Sequence, residues 1–278
     1  MCEFISDEYL YHYTSIDVLA LILKNHTIRL NSLDKMDDLQ EQLTADVKNL
    51  GRFVFVSSWT DDKDESIPMW KMYTNPCSGV RIRLHKNPFA WQGTLMEDFV
   101  SKLGYALCDG TTSSMRVNTF LNIAEIMNKG YVCDQAMKGD ILCQVKYTND
   151  KTLLEPQVLE TTPENFSIQV GKLGYHKSKY WDFQKEWRYI MRFIPCDFSN
   201  GPEMAALNFQ ITANKLARGI ATPPFPYFDL NIDDRYFNDM EITCSPQMTA
   251  GNKLILDTLV AHFNPNATVR DSDLYGKL

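Results

Sequence analysis

The sequence predicts a single α+β domain. Short alternating apolar stretches, typical of strands, are separated by amphipathic stretches typical of helices, and no repeat or low-complexity tract interrupts them. The 278 residues are 44% hydrophobic and 23% charged, which is enough for one sizeable core. No stretch has the composition of a linker, so we expect residues 1–278 to fold as one unit.

The first elements follow a strand–helix–strand order. Residues 9–13 are predicted to form a strand. Thr14 and Asp17 have capping-box spacing ahead of an apolar stripe, which predicts a short helix. Residues 27–31 and 52–58 are predicted to be the next two strands. The later one contains Phe-Val-Phe-Val, so we expect it to be buried on both faces.

A helix and a strand come next. Pro68 suits the first turn of a helix that carries Trp70 and Tyr73 on one side. These two aromatic residues fit either core packing or stacking on a ligand. Gly79 then opens a strand over residues 80–84, and we expect its two arginines on the outer face.

The rest of the chain gives a less even prediction. Residues 85–139 are predicted to be mainly helical, and residues 140–147 to form a strand. Residues 187–194 alternate as a half-buried strand does, and the Pro-rich run 222–226 predicts a loop. Residues 250–263 predict an amphipathic helix.

Composition excludes several classes of protein. The net charge of -7 argues against bulk electrostatic capture of nucleic acid. The seven cysteines include no Cys-x-x-Cys pair, and the acidic run 61–65 lacks the residues of a calcium loop, so we expect no metal site and reduced thiols. No leader or membrane-spanning run occurs, so we expect a cytoplasmic protein without a membrane partner. Phosphate-loop, dinucleotide-turn, nucleophile-elbow and zincin motifs are absent from the sequence.

The segment 172–192 concentrates cations and aromatic residues in an acidic chain. Its acids are only Asp182 and Glu186, whereas its cations are Lys172, Lys177, Lys179, Lys185, Arg188 and Arg192. Strand alternation places Glu186 and Arg188 on one face, which makes Glu186 the first candidate for a catalytic carboxylate. The alternative is a non-catalytic module in which this basic aromatic face binds nucleic acid or a nucleotide, with Glu186 structural.

Four motifs resemble a bacterial family known as domain of unknown function 2971. They are Leu-Tyr-His-Tyr-Thr-Ser at 10–15, Lys-Met-Asp-Asp at 35–38 with Glu41, Met-Trp-Lys-Met-Tyr at 69–73 with the following strand, and Trp-Asp-Phe-Gln-Lys-Glu-Trp-Arg at 181–188. The resemblance covers residues 9–194. Residues 195–278 match no pattern, and we expect them to be an extension packed on that core. Members of that family usually have Asn-Asp where this chain has Asp37-Asp38, and often a second Glu or Gln at the position of Gln184.

The start of the chain is also similar to the ADP-ribosyltransferases, including toxins that modify nucleic acids. His12-x-Thr14 ends the first strand, and a helix and a short strand follow. This resemblance implies two split antiparallel sheets with flanking helices and NAD bound as substrate. It implies that His12 binds the ribose, that Ser57 or Ser58 contacts the nicotinamide side, and that Glu186 completes the site.

The implied reaction is ADP-ribosyl transfer to a nucleic acid, a protein or water, in a toxin or phage-defence setting whose antitoxin or partner the sequence does not identify. A carboxylate such as Glu186 stabilises the developing oxocarbenium ion and orients or deprotonates the nucleophile, and His12 is its expected companion. A lone histidine at a strand end also fits simple packing. The remaining candidates for NAD binding are Tyr13, Thr14, Trp70, Tyr73, Arg81, Lys177, Lys179 and Arg188.

Overall fold

The computed structural model describes residues 9–95, 116–133, 141–161, 166–196, 204–223 and 225–277. Within these ranges the protein is α+β, as predicted, and its largest unit is a ten-stranded, mostly antiparallel sheet. No helix in these ranges is long and apolar enough to cross a membrane.

The helices and strands alternate irregularly along the chain. The strands are β1 Tyr9–Ser15, β2 Thr27–Ser32, β3 Val54–Thr60, β4 Gly79–His85, β5 Gln92–Leu95, β6 Arg116–Thr119, β7 Tyr131–Cys133, β8 Leu142–Gln144, β9 Lys146–Thr148, β10 Leu159–Thr161, β11 Phe166–Ile168, β12 His176–Ser178, β13 Glu186–Pro195, β14 Tyr227–Asn231, β15 Glu241–Cys244 and β16 Thr268–Arg270. The helices are α1 Ile16–Asn25, α2 Ile67–Tyr73, α3 Ile123–Asn128, α4 Lys151–Leu154, α5 Ala205–Ala217, α6 Asp234–Asn238 and α7 Ala250–Phe263.

The large sheet forks along one edge of β3. Its order is β14-β2-β3-β1-β4-β15-β16, and β13 pairs with the whole length of β3 on the opposite edge. On the forked edge, β2 pairs only with the start of β3, at Phe55 and Val56, whereas β1 reaches only its end, where Tyr11 opposes Thr60. The intervening residues of β3 therefore have no strand partner on this edge, and a cavity lies here.

Apolar cores cover both faces of β3. Phe55 packs in a core with residues of α1 and α7, whereas Val54 and Val56 pack in a second core that includes Leu50 and Ile190. The prediction that this strand is buried on both faces is therefore confirmed. Burial of each large aliphatic side chain contributes about 1.5–3 kcal/mol, so the two cores fix the strand that forms the floor of the fork.

The C-terminal region is part of the sheet. β14 pairs with β2 over five residues, and β15 pairs with β4. The helix predicted over residues 250–263 begins at Ala250 and ends at Phe263 as α7. The strand predicted at 187–194 is β13 and is one residue longer at each end.

Several local predictions were wrong. The capping box predicted at Thr14 and Asp17 does not form. Thr14 still belongs to β1, and the N-cap of α1 is Ser15, which makes no side-chain capping bond. The described parts of residues 85–139 contain three strands and one six-residue helix, not mainly helix; residues 96–115 and 134–140 lie outside the description. The single strand expected at 140–147 is two strands, divided at Val145, whose N–H donates to the Glu186 carbonyl at 2.9 Å.

Candidate functional site

A cavity of about 420 Å³ occupies the fork between β1, β2 and β3. α1 contributes an apolar wall, and the loop after β2 and the helix α2 contribute polar groups at the other end. Its lining residues are Tyr11, His12, Tyr13, Thr14, Val18, Leu21, Ile22, Asn25, Thr27, Ile28, Arg29, Asn31, Lys35, Met36, Asp37, Val56, Ser57, Ser58, Trp59, Met69, Tyr73, Lys177, Gln184, Glu186 and Asp229. An apolar concavity with a few convergent polar groups is typical of a small-molecule site.

His12 enters the cavity from β1 with a defined tautomer. Its Nδ1 lies 2.8 Å from the carbonyl oxygen of Ser58, one of the β3 residues that have no strand partner on the forked edge. A carbonyl only accepts hydrogen bonds, so Nδ1 carries the proton and Nε2 keeps its lone pair. The ring also packs against Trp59, and burial lowers the pKa of His12 below its usual 6.5. His12 is therefore a neutral acceptor at pH 7.

Glu186 is held at the start of β13 by its backbone as well as its side chain. Lys185 adopts a left-handed conformation with φ 45°, which ends the preceding 3-10 helix and begins the strand. The N–H of Glu186 then donates to the Tyr147 hydroxyl at 2.8 Å. This left-handed turn sets where β13 begins and therefore where the Glu186 side chain leaves the backbone.

The Glu186 carboxylate is ionised and doubly paired. Arg188 Nε lies 2.5 Å from Oε1 and Nη2 lies 3.1 Å from Oε2, and Lys177 Nζ lies 3.3 Å from Oε2. Burial alone would raise the pKa of Glu186, but the charges of Arg188 and Lys177 outweigh it and lower the pKa to about 2. Glu186 thus supplies a fixed negative charge in the wall of the cavity.

Glu41 completes a buried cluster of four charges. Its Oε1 lies 3.1 Å from Lys177 Nζ, and its Oε2 pairs with Arg188 Nη1. Glu41, Lys177, Glu186 and Arg188 are each no more than 4% exposed. Two acids and two bases cancel here, which is how buried charges are tolerated.

Asp37, Tyr73 and Gln184 form the rim of this cluster. The Tyr73 hydroxyl donates to Asp37 Oδ2 at 2.5 Å and accepts a hydrogen bond from Gln184 Nε2. Gln184 Oε1 in turn accepts from Lys177 Nζ at 2.9 Å. Burial and the adjacent Asp37 carboxylate raise the pKa of Tyr73, so its hydroxyl stays protonated.

Eight of the twelve residues proposed from sequence line the one cavity. Ser57 accepts from the Trp59 indole N–H at 3.0 Å, and Ser58 lies beside it on the part of β3 that has no strand partner on the forked edge. Tyr13 accepts at its hydroxyl from the Ser66 N–H, which anchors the loop before α2. The eight are His12, Tyr13, Thr14, Ser57, Ser58, Tyr73, Lys177 and Glu186.

The other four residues lie outside the lining. Trp70 is buried edge-on against Tyr13 and donates to Glu65, so it packs in the interior and does not stack on a ligand in the cavity. Lys179 is exposed at the start of a 3-10 helix. Arg188 lies behind Glu186 and forms an ion pair with its carboxylate.

Arg81 corrects a prediction about β4. It is 1% exposed and not on an outer face, because the chain after β3 covers it and the Lys63 carbonyl accepts from its Nη1 at 3.2 Å. Its guanidinium lies 4.5 Å from the centre of the Tyr11 ring. A cation–π contact thus replaces the expected contact with solvent or ligand.

Three members of the hydrogen-bonded and charged network beside the cavity were not proposed from sequence. Asp37, Glu41 and Gln184 occur within the quoted motif segments, yet their types and spacing gave no sign of burial or cavity contact. Their partners lie far along the chain, so only the fold reveals the network. Among the described residues, no group of histidine, cysteine and acidic side chains is arranged to hold a metal ion.

The basic aromatic face proposed over residues 172–192 is partly internal: three of its six cations are buried, whereas Lys179 and the neighbouring Tyr180 are exposed. Lys177, Arg188 and Arg192 are each no more than 2% exposed. Lys172 and Lys185 are at the surface, but they pair with Glu160 and Asp62. Little unpaired positive charge is left there for a nucleic acid to meet.

Comparisons with protein-family models, with curated proteins and with solved structures found no significant match for this chain. Any conclusion about function therefore depends on the residues and geometry of the cavity.

Proposed function

We propose that the protein cleaves the bond between nicotinamide and ribose in NAD and transfers ADP-ribose to a macromolecule or to water. The observation that carries this proposal is that His12 and Glu186, from opposite ends of the family-like region, line one cavity together with Ser57 and Ser58. These are the residues, in the same order along the chain, that the resemblance to ADP-ribosyltransferases implies. The resemblance implies two split sheets, whereas the cavity lies at a fork within one ten-stranded sheet, so the proposal rests on the residues and not on the sheet arrangement.

The electrostatics of the cavity suit this reaction. Loss of nicotinamide leaves positive character on the ribose, and a preorganised anion nearby lowers the barrier. Glu186 is kept ionised by Arg188 and Lys177, so its charge is present throughout the ordinary pH range. His12 Nε2 accepts a hydrogen bond from a ribose hydroxyl, and the protonated Tyr73 offers its ring to the nicotinamide.

The alternative of a nucleic-acid-binding module has less support. It requires exposed cations beside aromatic residues, whereas half of the cations over residues 172–192 are buried. A second form of this alternative is a nucleotide that binds in the cavity without turnover. Release of nicotinamide from NAD separates that form from catalysis.

The test is release of nicotinamide from NAD, with DNA, RNA and cell lysate each offered as acceptor. We expect release by the wild type and a loss of roughly 100-fold or more in Glu186→Gln. Glu125→Gln is a matched control, because Glu125 is an exposed glutamate paired only with Lys129. Thermal melting of each variant checks the fold. No release by the wild type with any acceptor would contradict the proposal, as would full activity in a folded Glu186→Gln.

A further inference from the structure

Three carboxylates line the cavity in the described part of the chain, and they differ in what they have left to offer a ligand. Asp229 is bound through both oxygens by Arg29, at 2.9 and 3.0 Å. The Glu186 side chain is only 4% exposed and is paired with Arg188 and Lys177. The Asp37 side chain is 38% exposed. Asp37 therefore offers the most carboxylate surface to a ligand.

The balance of charge points to the same residue. Glu41 and Glu186 are cancelled by Lys177 and Arg188, all four being buried together. Asp37 approaches this cluster as a third acid, with Oδ1 3.8 Å from Lys177 Nζ, and no third base joins the cluster among the described residues. The surplus negative charge therefore belongs to Asp37, at the solvent-facing rim.

The surroundings of Asp37 fix its direction without filling its acceptor positions. Oδ2 accepts from the Tyr73 hydroxyl at 2.5 Å, and Oδ1 accepts from the Asp38 N–H at 3.0 Å. A carboxylate has about four acceptor positions, so each oxygen keeps one. The neighbouring Lys35 directs its ammonium to the Pro226 carbonyl at 2.6 Å. Asp37 is thus oriented by α2 and β12 and remains able to accept a further proton or hydrogen bond.

We propose that Asp37 is a second working carboxylate, which meets the reacting part of the ligand while Glu186 supplies a fixed charge in the cavity wall. This inference rests on the proposed function and divides its chemistry between two acids. Glu186 is the anchor of the buried cluster and positions Lys177. Asp37 faces the cationic nicotinamide riboside and takes the proton of the nucleophile.

The reaction balances with these groups alone. The bond between ribose C1′ and the nicotinamide nitrogen breaks, and its electron pair neutralises the pyridinium as nicotinamide leaves. A hydroxyl of the acceptor, or water, forms a new bond to C1′. Its proton passes to Asp37 and from there to solvent. No oxidant, reductant or metal enters the step.

Chemical rescue tests the catalytic role. We expect Asp37→Ala to lower kcat for nicotinamide release at least about tenfold, and to raise KM about fivefold because Asp37 also contacts the cationic ring of the bound substrate. Added sodium formate should restore part of kcat, and Asp37→Glu should retain part of it. Glu125→Gln, treated in the same way, should match the wild type. Full activity in a folded Asp37→Ala, or a loss that neither formate nor Asp37→Glu relieves, would overturn the assignment.

A binding experiment separates failure of this inference from failure of the proposed function. The probe is 1-methylnicotinamide, a cation with no glycosidic bond to break, titrated calorimetrically into the wild type, Asp37→Ala and Glu125→Gln. We expect Asp37→Ala to weaken binding at least about fivefold and Glu125→Gln to leave it unchanged. If NAD is not cleaved but this pattern holds, the reaction is wrong and the ligand-facing role of Asp37 stands. Equal binding by Asp37→Ala and the wild type, or none by the wild type, would refute that role.

Discussion

Glu186 and Arg188, two residues apart on β13, form a bidentate ion pair with Nε–Oε1 and Nη2–Oε2 distances of 2.5 and 3.1 Å. Strand alternation puts both side chains on one face, so a local pattern in sequence creates the pair. Arg188 Nη1 also donates to the Gly174 carbonyl at 3.3 Å. Removal of one partner from such a buried pair costs about 3–5 kcal/mol, so the cluster contributes to the stability of the fold.

The ion pair predicts an acid-sensitive stability. The pKa of Glu186 falls from 4.5 in the unfolded chain to about 2 in the folded protein, so its contribution is complete above pH 4.5 and is lost as the pH falls towards 2. We expect about 3 kcal/mol of unfolding free energy to disappear over this window in the wild type and not in Glu186→Gln. Urea unfolding at successive pH values measures it. Parallel pH curves for the two proteins would contradict the assignment.

Gly174 is required by both its backbone and its neighbours. Its φ is +88°, and a Cβ there would lie 2.5 Å from Ile190 Cδ1. We expect Gly174→Ala to lower the free energy of unfolding by about 2–4 kcal/mol. Gly171→Ala is the matched control, because a Cβ at Gly171 meets nothing within 4 Å. Chemical denaturation compares the two, and an equal effect at both positions would remove the steric explanation.

The tautomer of His12 is a prediction that NMR can read directly. Donation from Nδ1 to the Ser58 carbonyl requires the Nδ1–H form, and burial lowers the pKa. We expect ¹⁵N shifts of a protonated Nδ1 and a bare Nε2, with a titration midpoint below 6.5. Because the pKa of His12 is lower in the folded protein, the unfolded chain binds the proton more readily. The free energy of unfolding therefore falls as the pH drops below 6.5. An Nε2–H tautomer would contradict the geometry of the site.

The C-terminal region should not be separable from the rest. β14 supplies the partner of β2 along the wall of the fork, and β15 supplies the partner of β4. A chain ending at residue 196 would expose both strand edges and the core beneath α7. We expect it to show no cooperative thermal transition, whereas residues 9–277 should melt cooperatively. A folded truncated protein would instead indicate an independent core.

Strong periodicity made some elements predictable from sequence. α7 and β13 were placed within one residue because each carries a long, regular apolar pattern. His12 and Glu186 were identified because a strand end and a cationic segment marked them, and both line the cavity. The short strands between residues 85 and 148 carry three or four residues each, too few for their period to be distinguished from that of a helix.

Burial of charge was the feature that the sequence did not reveal. Alternation correctly set Arg81 opposite the apolar residues of β4, but this face is covered by the chain after β3 and is not open to solvent. Glu41 has no local partner, since Lys177 and Arg188 reach it only after the strands assemble. Charged residues are seldom buried without such partners, so a prediction from composition alone leaves them at the surface.

The most direct test of the central claim is the rate of nicotinamide release from NAD by the wild type and by His12→Ala. His12 lies in the cavity but outside the buried charge cluster, so its loss leaves no buried charge unpaired. We expect release by the wild type and a rate at least about tenfold lower in His12→Ala, with cooperative melting retained. Equal rates in the two proteins, or no release by the wild type, would contradict that claim.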